Sequence, residues 1–144
     1  MENQEHFRKL ERMYISAPIN DFYQPTLKVD TGSAKLEIEV KEKFFHAAGA
    51  IHGSVYFKAL DDAAYFAANS LVEDVFVLTS NFNIYLLLPV ATGRIRAVGR
   101  VVNQTKKLLI AEAVLYDEQG REVARGSGSF MHSQMALTEE IGYC

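Results

Sequence analysis

Hydrophobic and polar residues recur along this chain in two different rhythms. From Lys35 to Glu42 the order Lys-Leu-Glu-Ile-Glu-Val-Lys-Glu changes character at almost every position, which is the period of a strand with one dry face and one wet face. Such a strand belongs in an antiparallel sheet, because parallel strands are covered on both sides. Between Gly53 and Ser70 the rhythm becomes helical. Tyr56, Leu60, Ala63, Ala64, Ala67 and Leu71 share one stripe, with Lys58, Asp62 and Asn69 opposite. The alanines let another element approach closely, as a sheet wrapped around the helix would.

Other elements follow from punctuation. Asn3 to Tyr14 predicts a helix with Phe7, Leu10 and Tyr14 on one side, ended by Pro18 and Asn20. Thr26 to Val29 is a short strand that turns at Asp30-Thr31-Gly32. Four strands come after the long helix: Phe76 to Leu88, Gly93 to Val102, Lys107 to Tyr116 and Val123 to His132. In the first of these, Leu78, Ser80, Phe82, Ile84 and Leu86 are expected on one face, with Thr79, Asn81, Asn83 and Tyr85 on the other. The sum is an α+β domain in which one helix is covered by an antiparallel sheet. A chain of 144 residues holds one such domain, 1–144, with a helix and linker over 1–22 and a surface tail over 133–144.

Composition narrows the function classes. Apolar residues make up 49% and charged residues 23%, far from the signature of disorder. Cys144 is the only cysteine, so no internal disulfide forms and a reducing, cytoplasmic setting is expected. The start, Met1-Glu2-Asn3-Gln4-Glu5-His6, has no basic and apolar signal pattern. The longest apolar run, Ile84 to Ala91, is interrupted by Pro89 and falls short of the roughly 20 residues that span a membrane. A formal charge of −3 argues against nucleic acid as a partner. Arg94, Arg96, Arg100, Lys106 and Lys107 form a stretch without acids, which reads first as solvated strand faces and second as a local anion site.

Chemistry concentrates at the start of the long helix. His46-Ala47-Ala48-Gly49-Ala50-Ile51-His52-Gly53-Ser54 leads into it, where backbone amides lack partners and attract a developing oxyanion. Gly53 allows a ligand close to that backbone. Of the adjacent carboxylates, Asp62 shares an arc with Lys58 and reads as a solvated neighbour. Asp61 falls between Phe57 and Ala68, among apolar neighbours, and is the better working residue. His52 and Asp61 are nine residues apart, about 13 Å along the axis and on opposite sides of the helix. To act together they need two copies side by side, and hence a dimer with composite sites. Thr79 is the candidate for a polar contact near the helix. No phosphate loop, dinucleotide fingerprint, HExxH or GxSxG occurs. His6, His46, His52 and His132 have no helical metal spacing, so no metal is expected.

His52-Gly53-Ser54, then Asp61 in an alanine-rich helix, then Asn83 six residues before Pro89, resembles the hot-dog-fold thioesterases of the phenylacetyl-CoA and hydroxybenzoyl-CoA type. The resemblance runs from about Asp30 to His132. It implies a hot-dog fold, a long central helix wrapped by an antiparallel sheet of five to six strands, paired into a homodimer and often into a dimer of dimers. It implies hydrolysis of a small or medium acyl- or aryl-CoA to free acid and coenzyme A, with no cofactor beyond the coenzyme A of the substrate. Gly53 would donate its N–H to the thioester carbonyl. Asp61 of the partner would attack that carbonyl or activate the water that does, Thr79 would hold the water or carboxylate, and His52 would shape the turn. This chain departs from the pattern at His46, where relatives often have Asn, and at Ser54, which replaces a second glycine and can cap the helix. Lys106 first, then Lys107, would meet the phosphates of coenzyme A. Tyr56, Phe57, Tyr65 and Phe82 would line an acyl pocket or simply fill the core. Two other readings fit the same fold, a non-catalytic acyl-CoA-binding protein and an acyl-thioester dehydratase or hydratase. The absence of proline between Pro25 and Pro89 weighs against the last, whose histidine usually sits in a proline-rich loop ahead of the helix.

Overall fold

The computed structural model describes residues 3–144; Met1 and Glu2, where the expected domain begins, lie outside the described residues. Three α-helices are α1 (Gln4–Ser16), α2 (Asn20–Tyr23) and α3 (Gly53–Asn69). Six strands are β1 (Thr26–Asp30), β2 (Ser33–Glu39), β3 (Val75–Leu86), β4 (Arg94–Gln104), β5 (Leu108–Tyr116) and β6 (Glu122–Ala136). The strands form one antiparallel sheet in the order β1-β2-β4-β5-β6-β3. A long helix wrapped by such a sheet is the hot-dog fold.

The alanines of α3 explain why the two layers meet so closely. Ala59, Leu60, Ala63, Ala64, Ala67 and Ala68 are fully buried, against Ala97, Ala111 and Leu115 of the sheet. A methyl group added at Gly99 would come within 2.4 Å of the Ala63 carbonyl. The helix backbone therefore rests on β4 with no side-chain layer between them.

The two sheet edges are treated differently. At β1, Arg8 donates to the Val29 carbonyl and Glu11 accepts from the Val29 amide, both at 2.8 Å, so α1 blunts that edge. At β3, Leu78, Tyr85 and Leu86 are exposed, and Leu87 and Leu88 continue the apolar run.

Three expectations need correction. In β3 the alternation breaks at a bulge. Thr79 pairs with Phe130 and Asn81 with Ser129, which leaves Ser80 as an extra residue. Val77 and Thr79 consequently share the inner face with Phe82 and Ile84, while Leu78 points outward opposite Met131. The segment expected as a linker holds α2, whose buried Asn20 donates to the Tyr14 carbonyl at 2.6 Å. The expected tail begins inside β6, and its Tyr143 hydroxyl lies 2.7 Å from Nδ1 of the buried His6. Leu137 and Ile141 pack against the core. Among the described residues no helix is long and apolar enough to cross a membrane.

Gly99→Ala is expected to lower stability by about 2–4 kcal/mol in chemical denaturation, since the obstacle is helix backbone and not a movable side chain.

Candidate active site

The start of α3 is shaped by the loop before it. Phe45 and Ile51 form an isolated bridge, and Gly49 takes a left-handed conformation (φ 87°) that closes the turn between them. His52 is the helix N-cap: its Nδ1 accepts the Ser54 amide at 3.0 Å, with Ser54 Oγ 2.9 Å away. Ser54 is thus capped by the histidine instead of being the cap. With Nδ1 accepting, the proton of the neutral ring resides on Nε2. Gly53 opens the helix, and among the described residues its N–H has no hydrogen-bond partner. It borders a cavity of about 260 Å³ with His46, Tyr56, Leu86 and Pro89. His46 Nδ1 accepts the Ala48 amide at 3.0 Å, and the Tyr56 hydroxyl donates to the Leu88 carbonyl at 2.6 Å.

Asp61 stands two turns further along α3. Thr79 Oγ1 donates to its Oδ1 at 3.0 Å, which joins helix to β3 just before the bulge. The carboxyl is pushed up to about 6, first by burial and then by the charge of Asp62, against the opposing effects of Thr79 and Lys58. A cavity of about 370 Å³ surrounds it, with apolar walls from Met13, Ile19, Phe66, Phe76 and Leu78. Tyr65 lines this cavity too, and its buried phenol is pushed up by desolvation.

Asp62 is not the solvated neighbour that the helical arc suggested. Its Oδ2 receives the Tyr14 hydroxyl at 2.6 Å and lies 2.7 Å from Lys58 Nζ. Asn69, expected on the same wet face, is fully buried. Its amide donates to the carbonyls of Val72 and Val75, and its oxygen accepts the Val77 amide. Helix α1 and the start of β3 cover what the arc alone left open. Tyr14 and Lys58 are the site neighbours that sequence reasoning missed. The Lys58–Asp62 spacing was visible, but nothing in the pattern showed which element would lie over it.

Gly53 and Asp61 are about 12 Å apart along one rigid helix, in two separate cavities. Phe57 and Phe82 border neither; their rings pack edge to face at 5.7 Å. The basic stretch is neutralised in part. Arg94 pairs with Glu37 at 3.1 Å, Arg100 with Glu112 at 2.7 Å, and Arg96 lies over the Tyr116 ring. Lys106 and Lys107 are exposed in the β4–β5 turn, outside both cavities and outside the ion pairs of the described residues.

Comparison with known proteins places these residues in a family context. Residues 48–124 match the family described as Thioesterase superfamily, a span that includes both helix start and Asp61. A Sulfurisphaera tokodaii protein named "Putative esterase" is 31% identical over 102 residues, covering 70% of this chain and 75% of that one. The solved PaaI protein of the E. coli phenylacetic acid degradation operon superposes with a TM-score of 0.85 at 20% identity, covering 94% of this chain and 99% of its own. A thioesterase family protein from Silicibacter pomeroyi gives 0.82 at 24%, covering 88% and 96%. At such identities the structural likeness establishes the fold.

Burial of an ionised Asp61 carries a measurable cost. Its folded value, about 6, lies above the ordinary 3.8, so above pH 6 the carboxylate is charged in both states and weakens the fold. Asp61→Asn is expected to raise stability by about 1–3 kcal/mol at pH 7–8. The gain shrinks between pH 6 and 4, where the native acid takes up its proton, and vanishes below; denaturant titrations across that range check it.

Proposed function

The chain belongs to the thioesterase superfamily, and from that premise we propose that it hydrolyses acyl-CoA thioesters at composite sites shared by two subunits. The observation that carries this reading is Asp61, a half-buried carboxyl with Thr79 as its one hydrogen-bond donor among the described residues and a proton affinity raised to about 6. A group poised there exchanges a proton efficiently near neutral pH, which suits a general base.

Two copies supply what one lacks. β3 is an edge strand with exposed Leu78, Tyr85 and Leu86, and an uncovered apolar edge favours pairing with a second chain. Pairing β3 with its symmetry mate continues the sheet and sets two α3 helices side by side. Asp61 of one subunit then faces the partner subunit's Gly53. The Gly53 N–H polarises the thioester carbonyl and holds the oxyanion. Asp61 takes a proton from water as its oxygen bonds to the carbonyl carbon. Collapse breaks the carbon–sulfur bond, and the proton passes to the departing thiolate, giving free acid and coenzyme A.

The apolar cavity beside Asp61 is of a size for a small or medium acyl or aryl group. An arylacetyl group is the first to try, since one structural relative comes from a phenylacetic acid degradation operon. Lys106 and Lys107 are exposed cations available to the phosphates of coenzyme A.

Wild-type protein is expected to release thiol from a panel of acyl- and aryl-CoAs, and Asp61→Asn to lose at least about 100-fold in kcat. Gly53→Pro removes the amide hydrogen at a helix position that tolerates proline, after an extended His52 (φ −67°, ψ 150°), while its ring approaches the Leu86 side chain, and it should be similarly impaired. Co-expressing the two variants should restore about a quarter of wild-type activity, because half of randomly formed dimers regain one intact site. A mixture as inactive as its parents would defeat the shared-site arrangement, and acyl-CoA binding without hydrolysis across the panel would defeat the catalytic reading.

A further inference from the structure

Asp62 plays no part in the reaction above, yet it is the more elaborately held of the two adjacent acids. Lys58 Nζ, 2.7 Å from its Oδ2, also lies over the rings of Tyr14 and Tyr23 at 5.1 and 5.2 Å. The Tyr14 hydroxyl completes the shell at 2.6 Å. α1 and α3 thus hold the carboxylate directly, and α2 reaches it only through the Tyr23 ring beneath Lys58. A buried ion pair contributes little net stability, because desolvation offsets the attraction. Burial pushes the Asp62 carboxyl up, and Lys58 and the Tyr14 hydroxyl oppose this by favouring its charged form; in that form the pair supplies a charge one residue from Asp61 that solvent screens poorly.

We propose that Asp62 is a positioning residue for Asp61: the Lys58–Asp62–Tyr14 cluster anchors a negative charge beside the working carboxylate and makes it a stronger base. This inference rests on the reading of Asp61 given above. The groups facing Asp61 are few. α3 contributes Lys58, Asp62 and Tyr65, α1 contributes Tyr14, and β3 contributes Thr79. α2 and the C-terminal segment bring Asn20 and Ile141, which do not titrate. Among the charged groups Asp62 raises the proton affinity of Asp61 and Lys58 lowers it. Consecutive helical positions point about 100° apart, so Asp62 can be gripped by α1 while Asp61 remains turned toward β3 and the cavity. Asp62 borders the same cavity as Asp61, but its carboxylate is held by Tyr14 and Lys58.

The test is the pH profile of kcat/KM for Asp62→Asn and Asp62→Glu, alongside the Asp61 carboxyl titration followed by carbon NMR without substrate. Asp62→Asn should move the acid limb and the NMR midpoint down by about one pH unit, so that at pH 5 its rate relative to its own plateau is about fivefold above wild type. Asp62→Glu, which keeps the charge, should restore a midpoint near that of wild type. A cluster with a purely structural role would change plateau and stability but leave both midpoints in place, and a folded Asp62→Asn with an unmoved NMR midpoint overturns the proposal. Should that variant not fold, Lys58→Met/Asp62→Asn is set against Lys58→Met, so that the contribution of Lys58 cancels; a lower midpoint in the double variant supports the proposal and equal midpoints overturn it. A shifted NMR midpoint in a protein that hydrolyses nothing assigns the failure to the reading of Asp61 as a base, and leaves the electrostatic coupling standing.

Discussion

The close seating of α3 on the sheet is the constraint from which the rest of the structure follows. Because Ala63 meets Gly99 backbone to backbone, the helix has no freedom to roll or lift, and each residue on it acquires a fixed neighbour. Gly53 comes to face Leu86, with only 3.3 Å between an added methyl and that side chain, and Asp61 comes to face Thr79. A bulkier helix face would interpose a layer of side chains and move both ends away from β3. The alanines therefore set where both ends of the candidate site lie.

Such a buried helix has to satisfy its polar residues internally, and the contrast among them is informative. Asn69 spends its whole hydrogen-bonding capacity on the turn that starts β3. Asp62 has a cation and a phenol. Asp61, of the same chemical type and next in sequence, has Thr79 alone among the described residues. Buried polar groups are normally matched with partners, so the under-satisfied one stands out, on the wall of a largely apolar cavity. The fold tolerates a destabilised carboxylate at that point because its neighbours are so completely held.

Most of the architecture was legible because it is written in local periods. The alternation of β2 and the alanine stripe of α3 identified a helix under a sheet, and the bounds of α3 differ by one residue from those expected. Asp61 and the helix start were also legible, since apolar neighbours and orphan amides are sequence-local features. What stayed hidden depends on elements far apart in the chain. Tyr14 meets Asp62 across 48 positions, and Arg100 finds Glu112 only through the register of β4 and β5. A helical wheel shows which residues share an arc, but it says nothing about what covers the arc.

The bulge at Ser80 was invisible for a related reason, and it carries the last step of the argument. In an unbroken strand, a Thr79 that faces the helix would bring Asn81, Asn83 and Tyr85 inward with it. The inner surface there is paved with Gly126 and Gly128 of β6, over which the Phe82 ring lies, and amides in that place would be buried without partners. One extra residue reverses the alternation, so that Thr79 reaches Asp61 while Phe82 and Ile84 still cover the glycines. Asn81, turned outward, accepts the Ser129 amide at 3.2 Å. β3 can thus serve a polar site at one end and an apolar core at the other only because its period fails once, between them.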